Sequence, residues 1–412
     1  MAREKIITGL DIGTCNVTVV QAQAKEGNSV PQVIGVGRVP SSGLRKGVVV
    51  DIEEVVKNIK EAASIAQRIS GIPVEHAFVS IGGSHIACRA SRGVIAVSRA
   101  DGEISLEDKE RAVNAASAIS IGPNKEILHV LPRRFIVDNQ DSIKEPVGMQ
   151  GVRLEVDALI VEGSTPFIKN LIKCVRDADI YEDGLLLAPL AGSRAVLNKR
   201  QKELGVMLLD LGGGTSGMTI YEEGDIVHCQ ILPVGSMHIT NDIAIGVRTS
   251  IEVAEKIKLE YGSIGPGASN KKETIDLAKL GGDEDQVSRH QISEIIEARV
   301  NEIFDLVNKE LKRIDRAGLL PAGIVLVGGG AKMPGLVELA KEKLRLPVQI
   351  GRPQNLEGIV DQVDEPSFAT VCGLILAAMG DEIKSESKYS FELPVVTSAF
   401  NKAKKWFRAF IP

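Results

Sequence analysis

The chain is poor in the residues that build disulfide frameworks and transition-metal sites. Its 412 residues include only five cysteines and six histidines, scattered along the sequence. No Cys-x-x-Cys pair, His-Glu-x-x-His motif or Cys/His cluster occurs, which argues against a transition-metal site. The odd, dispersed cysteines exclude a disulfide scaffold and indicate reduced thiols in a cytoplasm. They are Cys15, Cys88, Cys174, Cys229 and Cys372.

Long apolar runs and a strong excess of basic charge are also missing. No uncharged apolar stretch reaches about 18 residues, so we expect no segment to span a membrane. The first residues enter a strand pattern at once, which predicts no apolar signal segment. The net charge of −5 provides no general basic surface, and we therefore expect no nucleic-acid partner. The length and the 44% hydrophobic content suffice for two domains with full cores.

Two glycine-anchored turns lie about half a chain apart, each after an apolar run with an aspartate at its edge. They read Gly-Leu-Asp-Ile-Gly-Thr over residues 9–14 and Leu-Asp-Leu-Gly-Gly-Gly-Thr over residues 209–215. Glycine lets main-chain N–H groups approach a polyphosphate closely, and aspartate can hold Mg²⁺, usually through water. Either turn alone is equally typical of an ordinary β-turn. The pair, each followed by β-branched residues, predicts two like-shaped hairpins of one nucleotide site.

The rest of the chain repeats one plan of strands and helices twice, with a different insertion in each half. Residues 84–163 read as a small α+β insertion in the first half, and residues 261–285, rich in Gly and charge, as one in the second. We therefore predict a duplicated α/β fold. Strands are predicted at 6–10, 17–22, 30–38, 74–81, 205–211, 217–221, 226–234 and 323–327, and helices at 51–68, 165–177, 184–197 and 292–316.

A third glycine cluster follows the last predicted strand. Residues 328–335 read Gly-Gly-Gly-Ala-Lys-Met-Pro-Gly. The G-x-G-x-x-G register with a later acidic residue is absent, which argues against a dinucleotide fingerprint. The cluster is compatible with a tight strand-to-helix turn. Together with the two hairpins, it favours backbone packing against the base and phosphates of a nucleotide.

Five segments in this order resemble the nucleotide-binding motifs of the actin, sugar kinase and heat-shock chaperone superfamily. Its phosphate 1, connect 1, phosphate 2, adenosine and connect 2 motifs match residues 9–20, 184–197, 206–221, 323–344 and 366–379. Within the superfamily the chain is most similar to the FtsA family of bacterial division proteins, through its opening motif, first insertion and tail. The resemblance implies a duplicated actin-like (ribonuclease H-like) two-domain α/β fold, with an α+β insertion in the first domain and a C-terminal amphipathic helix.

The resemblance also implies that ATP and Mg²⁺ bind in the cleft between the two halves. Asp11 and Asp210 would serve the metal. Glu255 and Lys258, one helical turn apart, match positions that reach the ribose in relatives, although an i,i+3 ion pair on a solvated helix face explains them equally well. The implied phosphate and adenosine contacts are Gly13, Thr14, Cys15, Asn16, Gly212, Gly213, Gly214, Thr215, Gly328, Gly329, Gly330 and Met333.

The segment over residues 187–191 departs from the pattern of the hydrolytic relatives. It reads Leu-Ala-Pro-Leu-Ala, whereas those relatives carry a glutamate before the proline. A carboxylate there is suited to orienting the attacking water. Ala188 cannot accept a hydrogen bond, so we expect nucleotide binding with weak ATP hydrolysis at most.

The last 15 residues contain four of the 14 aromatic residues of the chain. At about 100° per residue, apolar and basic side chains fall on opposite arcs. A docked core helix is one interpretation, but the absence of acids after Glu392 and the polar linker over residues 381–397 favour an in-plane membrane helix. The apolar arc contains Phe400, Ala403, Trp406, Phe407, Phe410 and Ile411, and the basic arc contains Lys402, Lys404, Lys405 and Arg408.

These features predict an ATP-binding, actin-like protein that polymerises at the division site, on the cytoplasmic face of the cell membrane. Polymerisation would let several weakly bound tails act together on the anionic surface. The FtsA resemblance implies that the chain tethers tubulin-like FtsZ by its C-terminal peptide and works with other division proteins. Arg299 and Glu302 match family positions on the peptide-binding surface, although exposed charges on a long helix would look the same.

Two other classes of protein share parts of this pattern. A sugar kinase would have the same cleft, but it needs a general-base aspartate that the sequence does not reveal. A pilus-assembly platform protein such as PilM would share fold and insertion, but ordinarily lacks the terminal helix.

The predicted boundaries are residues 1–83 with 164–197 for the first domain, 84–163 for its insertion, 198–380 for the second domain with an insertion at about 261–315, 381–397 for the linker and 398–412 for the membrane helix.

Overall fold

The chain begins with an antiparallel meander. The computed structural model describes residues 4–25, 30–265, 273–283 and 285–382. Its first three strands are rich in β-branched residues and pair in succession, as the alternation of apolar and polar residues predicts. They are β1 (Glu4–Ile12), β2 (Asn16–Lys25) and β3 (Gln32–Pro40), and the short pair β4 (Leu44–Arg45) and β5 (Val48–Val49) follows.

Helix α1 (Ile52–Ser70) packs its apolar face against this sheet. It begins where the Asp51 side chain accepts a hydrogen bond of 3.2 Å from the Glu54 N–H, and it ends at Gly71 with a left-handed φ of 73°. Strand β6 (His76–Ile81) then pairs in parallel with β1. The C-terminal ends of β1 and β6 therefore lie side by side at one edge of the sheet.

The inserted unit is a four-stranded antiparallel sheet covered by one helix. Its strand order is β7-β10-β8-β9, and α2 lies so close to β7 that a Cβ at Gly93 would be 2.0 Å from the Ala112 carbonyl oxygen. It has its own apolar core, which includes Phe135 and Ile160. The elements are β7 (Ala87–Ala96), α2 (Leu106–Ser117), β8 (Lys125–Val137), β9 (Gln140–Ile143) and β10 (Arg153–Ser164).

After the insertion the chain returns to the first sheet. The elements are α3 (Thr165–Asp177), β11 (Tyr181–Leu187), α4 (Ala188–Val196) and α5 (Lys199–Leu204). The predicted helix over residues 184–197 is wrong in its first four residues, because these belong to β11, which pairs in parallel with β6. A short apolar run is compatible with a buried strand or a buried helix, and only the pairing partner distinguishes them.

The second half forms a sheet of the same plan. Its order β18-β17-β12-β13-β14 reproduces β11-β6-β1-β2-β3 of the first sheet, with an antiparallel meander and two parallel strands in each. The predicted duplication is confirmed. The elements are β12 (Val206–Leu211), β13 (Ser216–Glu222), β14 (Asp225–Leu232), α6 (Ser236–Val247), α7 (Ile251–Tyr261), β15 (Thr274–Asp276), β16 (Gln286–Ser288), α8 (Arg289–Arg313), β17 (Ile324–Val327), α9 (Leu336–Leu344), β18 (Val348–Ile350), β19 (Glu357–Gly358) and α10 (Ala369–Glu382).

Helices α4 and α10 form the layer between the two sheets. Helix α10 contacts strands of the first sheet and α4 contacts strands of the second. They approach so closely that a Cβ at Gly373 would lie 1.8 Å from the Ala191 carbonyl oxygen, so Gly373 admits no side chain. This contact brings the two halves together and places residues of both beside one cleft.

Candidate functional site

The tips of the two glycine hairpins meet at this cleft. Gly13 lies in the turn between β1 and β2, where its N–H donates a hydrogen bond of 3.0 Å to the Asn16 carbonyl oxygen. In the turn between β12 and β13, a Cβ at Gly212 would lie 2.9 Å from the Thr215 carbonyl oxygen. A Cβ at Gly213 would lie 2.2 Å from the Cys15 Sγ atom of the opposite hairpin. The hairpins thus form two closely facing walls, and the side chains of Thr14, Cys15, Asn16 and Thr215 line the cleft together with the glycines.

Two aspartates lie at the base of the hairpins, on the middle strand of each sheet. Ser80 Oγ, on β6, donates a hydrogen bond of 2.6 Å to Asp11 Oδ1, and Thr370 Oγ1, on α10, donates one of 3.4 Å to Asp210 Oδ2. Burial raises the pKa of Asp11, while the Ser80 hydrogen bond and the Arg38 charge oppose that rise. Burial, reinforced by the Asp11 charge, raises the pKa of Asp210 to about 7.

These two carboxylates suit a divalent cation. Each is half-buried in the cleft, and the charge of Asp11 raises the pKa of Asp210, so a positive ion held by both would offset the partial desolvation and the mutual repulsion. Carboxylate oxygens are ligands that Mg²⁺ takes, and this ion usually keeps several of its waters. The residues present therefore fit a magnesium ion, and Asp11 and Asp210 would hold it.

The third glycine cluster closes the cleft beside Asp210. Gly328 has a φ of 82°, and a Cβ there would lie 2.3 Å from Asp210 Oδ1, so this position requires glycine for both conformation and space. The cluster continues as a single 3₁₀ turn, Gly329–Lys332. Gly330 packs its backbone against the Leu211 carbonyl oxygen, while Met333 packs against the core of the second half.

The structure brings most of the predicted site residues into one cleft. Five of the predicted nucleotide contacts are not among its lining residues: Gly214, Glu255, Lys258, Gly330 and Met333. The predicted residues that line the cleft are Asp11, Gly13, Thr14, Cys15, Asn16, Asp210, Gly212, Gly213, Thr215, Gly328 and Gly329.

Lys258 is buried and hydrogen-bonded at the back of the cleft. Its Nζ lies 2.6 Å from Glu255 Oε2, 2.9 Å from Thr240 Oγ1 and 3.4 Å from the carbonyl oxygen of the cleft residue Ser236. The predicted i,i+3 ion pair with Glu255 is present, but only 7% of the Lys258 side chain is exposed, against 38% for Glu255, so the pair does not lie on a solvated helix face at its lysine end. A buried ammonium held by three oxygens instead fixes α7 against the start of α6.

Sequence reasoning missed several polar residues of the cleft. Ser80, Ser236 and Thr370 each come from a different element, and Arg38 comes from the end of β3. Arg38 Nη1 donates a hydrogen bond of 3.2 Å to Ser367 Oγ, and its guanidinium lies 5.2 Å from the centre of the Phe368 ring. One signal was present in the sequence, for Ser80, which stands one residue before the end of the strand predicted at 74–81; that this strand is parallel to β1 is known only from the structure.

Comparison with known proteins decides which family has this combination of cleft and insertion. The model of the family "Cell division protein FtsA" matches residues 207–373, and that of "SHS2 domain inserted in FTSA" matches residues 83–162. The Cell division protein FtsA of Pseudomonas aeruginosa is 38% identical over 409 residues, covering 98% of this chain and 97% of its own length. The chain belongs to the FtsA family. The prediction that the chain is an actin-like bacterial division protein of this family is confirmed.

Other relatives and solved structures agree with this assignment. The FtsA of Bacillus subtilis is 37% identical, covering 96% of this chain and 88% of its own, and that of Escherichia coli K12 is 32% identical, covering 98% of both. The PilM-PilN type IV pilus biogenesis complex has a similar fold (TM-score 0.68, 18% identity, 90% of this chain and 98% of that one). MreB5 of Spiroplasma citri bound to ADP is also similar (TM-score 0.53, 15% identity, 92% and 97%). These two likenesses confirm the actin-like fold alone.

The segment that lacks a carboxylate lies directly on the cleft of this FtsA-family chain. Ala188 is the first residue of α4 and lines the cleft, and Pro189 follows it in the first turn. The preceding Leu187 N–H donates a hydrogen bond of 3.1 Å to His129 Nε2 of the inserted unit. A buried imidazole thus fixes the backbone where β11 ends and α4 begins.

His129 makes the stability of the protein depend on pH. Burial lowers its pKa from the usual 6.5 to about 4, so the folded chain keeps it neutral while the unfolded chain protonates it below pH 6.5. The unfolded state then binds more protons, and we expect stability to fall as the pH drops from 6.5 to 4. His129→Gln retains an acceptor for Leu187 and should reduce the slope of the unfolding free energy against pH by up to about 1.4 kcal/mol per pH unit.

Urea denaturation at several pH values between 7 and 4.5 measures this slope. His228 contributes in the same direction, since burial and two arginine charges lower its pKa to about 4, so the variant should retain part of the slope. An unchanged slope in His129→Gln would contradict the buried neutral imidazole.

The predicted partner residues lie on α8, away from the residues that line the cleft. Arg299 forms a two-pronged ion pair with Asp242 of α6, with its Nη2 2.8 Å from Oδ1, and it also contacts Glu302. The guanidinium is about one quarter exposed, and these carboxylates raise its pKa further. Arg299 therefore holds α6 and α8 together and still presents an edge to solvent.

The predicted membrane residues fall outside the described residues. They are all within residues 398–412. Among the helices of the described residues, none is both long and apolar enough to cross a bilayer.

Proposed function

We propose that the cleft binds ATP together with Mg²⁺. The observation that supports this most is the meeting of two glycine hairpins beside a pair of half-buried carboxylates, one from each half of the duplicated fold. Main-chain N–H groups of the hairpins would face the phosphates, and Asp11 and Asp210 would hold the ion. The two MreB5 structures of S. citri with this fold are bound to ADP and to AMPPNP.

The remaining contacts to the nucleotide follow from the walls of the cleft. Gly328 and Gly329 line it, and with Gly330 and Met333 they would pack against the adenosine. Lys258 contacts both Ser236 and Thr240, and Glu255 contacts Thr240. Glu255 and Lys258 would act on the ribose through these two residues. Arg38 supplies a cation on the opposite wall. Bound Mg²⁺ would neutralise part of the phosphate charge in this closed site.

ATP should turn over slowly, because the chain lacks a carboxylate at Ala188. We expect phosphate release far below the median enzyme rate of about 10 per second. The measurement is phosphate release by the purified protein with ATP and Mg²⁺. Asp210→Ala serves as the control, since any release that persists in that variant comes from a contaminant. A rapid ATPase that is lost in Asp210→Ala would show that another group orients the water.

We also propose that the protein polymerises at the cytoplasmic membrane and tethers FtsZ to it during division. Membership of the FtsA family supports the division role, and the opposed aromatic and basic arcs of residues 398–412 support membrane attachment. The C-terminal peptide of FtsZ would dock on the second half near Arg299 and Glu302, where the guanidinium remains partly exposed. Filaments would present many tails at once, which strengthens binding to an anionic surface.

Co-sedimentation with vesicles tests the tether. FtsZ, the full chain and ATP are mixed with vesicles of anionic lipid, and FtsZ should be recovered with the vesicles only when the chain is present. FtsZ that lacks its C-terminal peptide should stay in the supernatant while the chain still sediments. Recovery of that truncated FtsZ would contradict the proposed contact, and failure of the chain itself to sediment would contradict membrane attachment.

A further inference from the structure

Two cysteines that are distant in sequence meet at the boundary between the inserted unit and the second half. Cys88 stands near the start of β7 and Cys229 lies within β14, 141 residues later, and their Sγ atoms are 2.6 Å apart. A disulfide bond is about 2.05 Å long. The two sulfurs thus need to move only about half an ångström to be joined.

Each sulfur is held by a different sheet. Cys88 lies opposite Val161 of β10, in the sheet of the inserted unit, and Cys229 lies opposite Thr219 of β13, in the sheet of the second half. The same boundary carries an ion pair of 3.9 Å between Lys144 and Glu203. The thiols therefore meet because two rigid elements are packed together.

The surroundings of the two thiols differ in a way that assigns their roles. Cys229 is fully buried, while Cys88 is partly exposed. The hydrogen bond to Cys88, together with burial, raises the pKa of Cys229 well above its usual range. A small oxidant from solvent would therefore meet the Cys88 sulfur first, with the protonated Cys229 thiol directly behind it.

We propose that Cys88 and Cys229 form a peroxide-sensitive dithiol, and that its oxidation to a disulfide ties the inserted unit to the second half. In the first step the Cys88 sulfur takes one oxygen from hydrogen peroxide, which gives a sulfenic acid and one water. In the second step the Cys229 sulfur displaces the hydroxyl group, which leaves with the Cys229 proton as a second water. Two thiols are oxidised by two electrons, and one peroxide is reduced to two waters.

The disulfide would restrain movement of the two halves relative to each other. The inserted unit is joined to the first half by both of its chain ends and by packing of Ile86 and Leu131 in the same core. A bond from this unit to β14 would connect the two halves on one side of the cleft. It would also close a loop of more than a hundred residues, which removes conformational freedom from the unfolded chain.

Peptide mapping of the oxidised full chain tests the proposal directly. The reduced protein is treated with hydrogen peroxide, free thiols are blocked with N-ethylmaleimide, and the digest is analysed by mass spectrometry with and without dithiothreitol. We expect one dithiothreitol-sensitive species that links the Cys88 and Cys229 peptides, and a melting temperature several degrees above that of the reduced protein. Cys174→Ala, a change at a thiol outside the cleft, should leave the linked species unchanged.

Variants of the two positions separate the two steps. Cys88→Ser and Cys229→Ser should each lose the linked species and the rise in melting temperature. In Cys229→Ala the sulfenic acid on Cys88 has no second thiol to react with, so dimedone should trap it there. The proposal is overturned if peroxide produces no link between these peptides in the wild-type chain, or if dimedone never labels Cys88 in Cys229→Ala. Neither measurement depends on nucleotide binding.

Discussion

Gly213→Val is expected to weaken ATP binding at least tenfold, or by about 1.4 kcal/mol. A Cβ at this position would lie 2.2 Å from Cys15 Sγ, so a branched side chain must push the hairpin tips apart or enter the space between them. Either outcome removes the close approach of main-chain N–H groups to a phosphate. Asp210→Ala should cause a loss of at least the same size for a different reason, because it removes a half-buried carboxylate proposed to hold Mg²⁺.

Isothermal titration with ATP and Mg²⁺ measures both effects. Gly122→Ala is the matched control, since a Cβ there meets only the Lys125 Cδ atom, at an ordinary contact distance of 3.8 Å. We expect the control to bind like the wild type. The Asp210→Ala loss should largely disappear when Mg²⁺ is replaced by EDTA, whereas the Gly213→Val loss should persist. Wild-type affinity for ATP in both variants would contradict the proposal that this cleft binds ATP.

Trp406→Glu is expected to release the protein from membranes. The residue stands in the middle of the aromatic arc, and a carboxylate there should cost about 2 kcal/mol at the acyl boundary, or roughly thirty-fold in partitioning. Lys404→Glu with Lys405→Glu should weaken binding mainly to anionic vesicles, since it reverses the attraction to the headgroups. These residues lie outside the described residues, so this prediction depends on the sequence pattern alone.

Sedimentation with anionic and with neutral vesicles measures the two effects. Lys384→Glu with Lys388→Glu, the same charge change placed in the linker, is the matched control and should bind more strongly than the Lys404/Lys405 variant. All variants should melt at the wild-type temperature and bind ATP normally. If Trp406→Glu instead lowers the melting temperature by several degrees and vesicle binding is retained, the last residues form a docked core helix and the tether model fails.

The sequence predicted the residues whose roles depend on local backbone structure. Asp11 and Asp210 stand at strand ends beside glycine turns, and this pattern needs only the alternation of the strand and the conformational freedom of glycine. The strands of each meander and the helices that follow them could be predicted from the sequence for the same reason. The fold class and its duplication follow from such local signals, the family follows from a resemblance of motifs, and the structure and the relatives confirm all three.

The sequence could not predict the residues that reach the cleft by packing. Ser80, Arg38 and Thr370 come from three elements that meet only when α10 lies against the first sheet, and their types are common on any surface. The residues 184–187 were assigned to a helix because the strand that pairs with them is more than a hundred residues earlier. Lys258 looked like half of a solvated ion pair, although the folded chain buries it against Thr240.

What the sequence by itself determined is therefore the two hairpins, the acidic residue at the base of each, the missing carboxylate at Ala188 and the amphipathic pattern of the tail. The tertiary structure decided that the hairpins face each other, that the two aspartates line one cleft and that the Cys88 and Cys229 sulfurs touch. The physical reason is the range of the interactions. Turn conformation and strand alternation depend on neighbouring residues, whereas desolvation and van der Waals contact depend on which elements pack together.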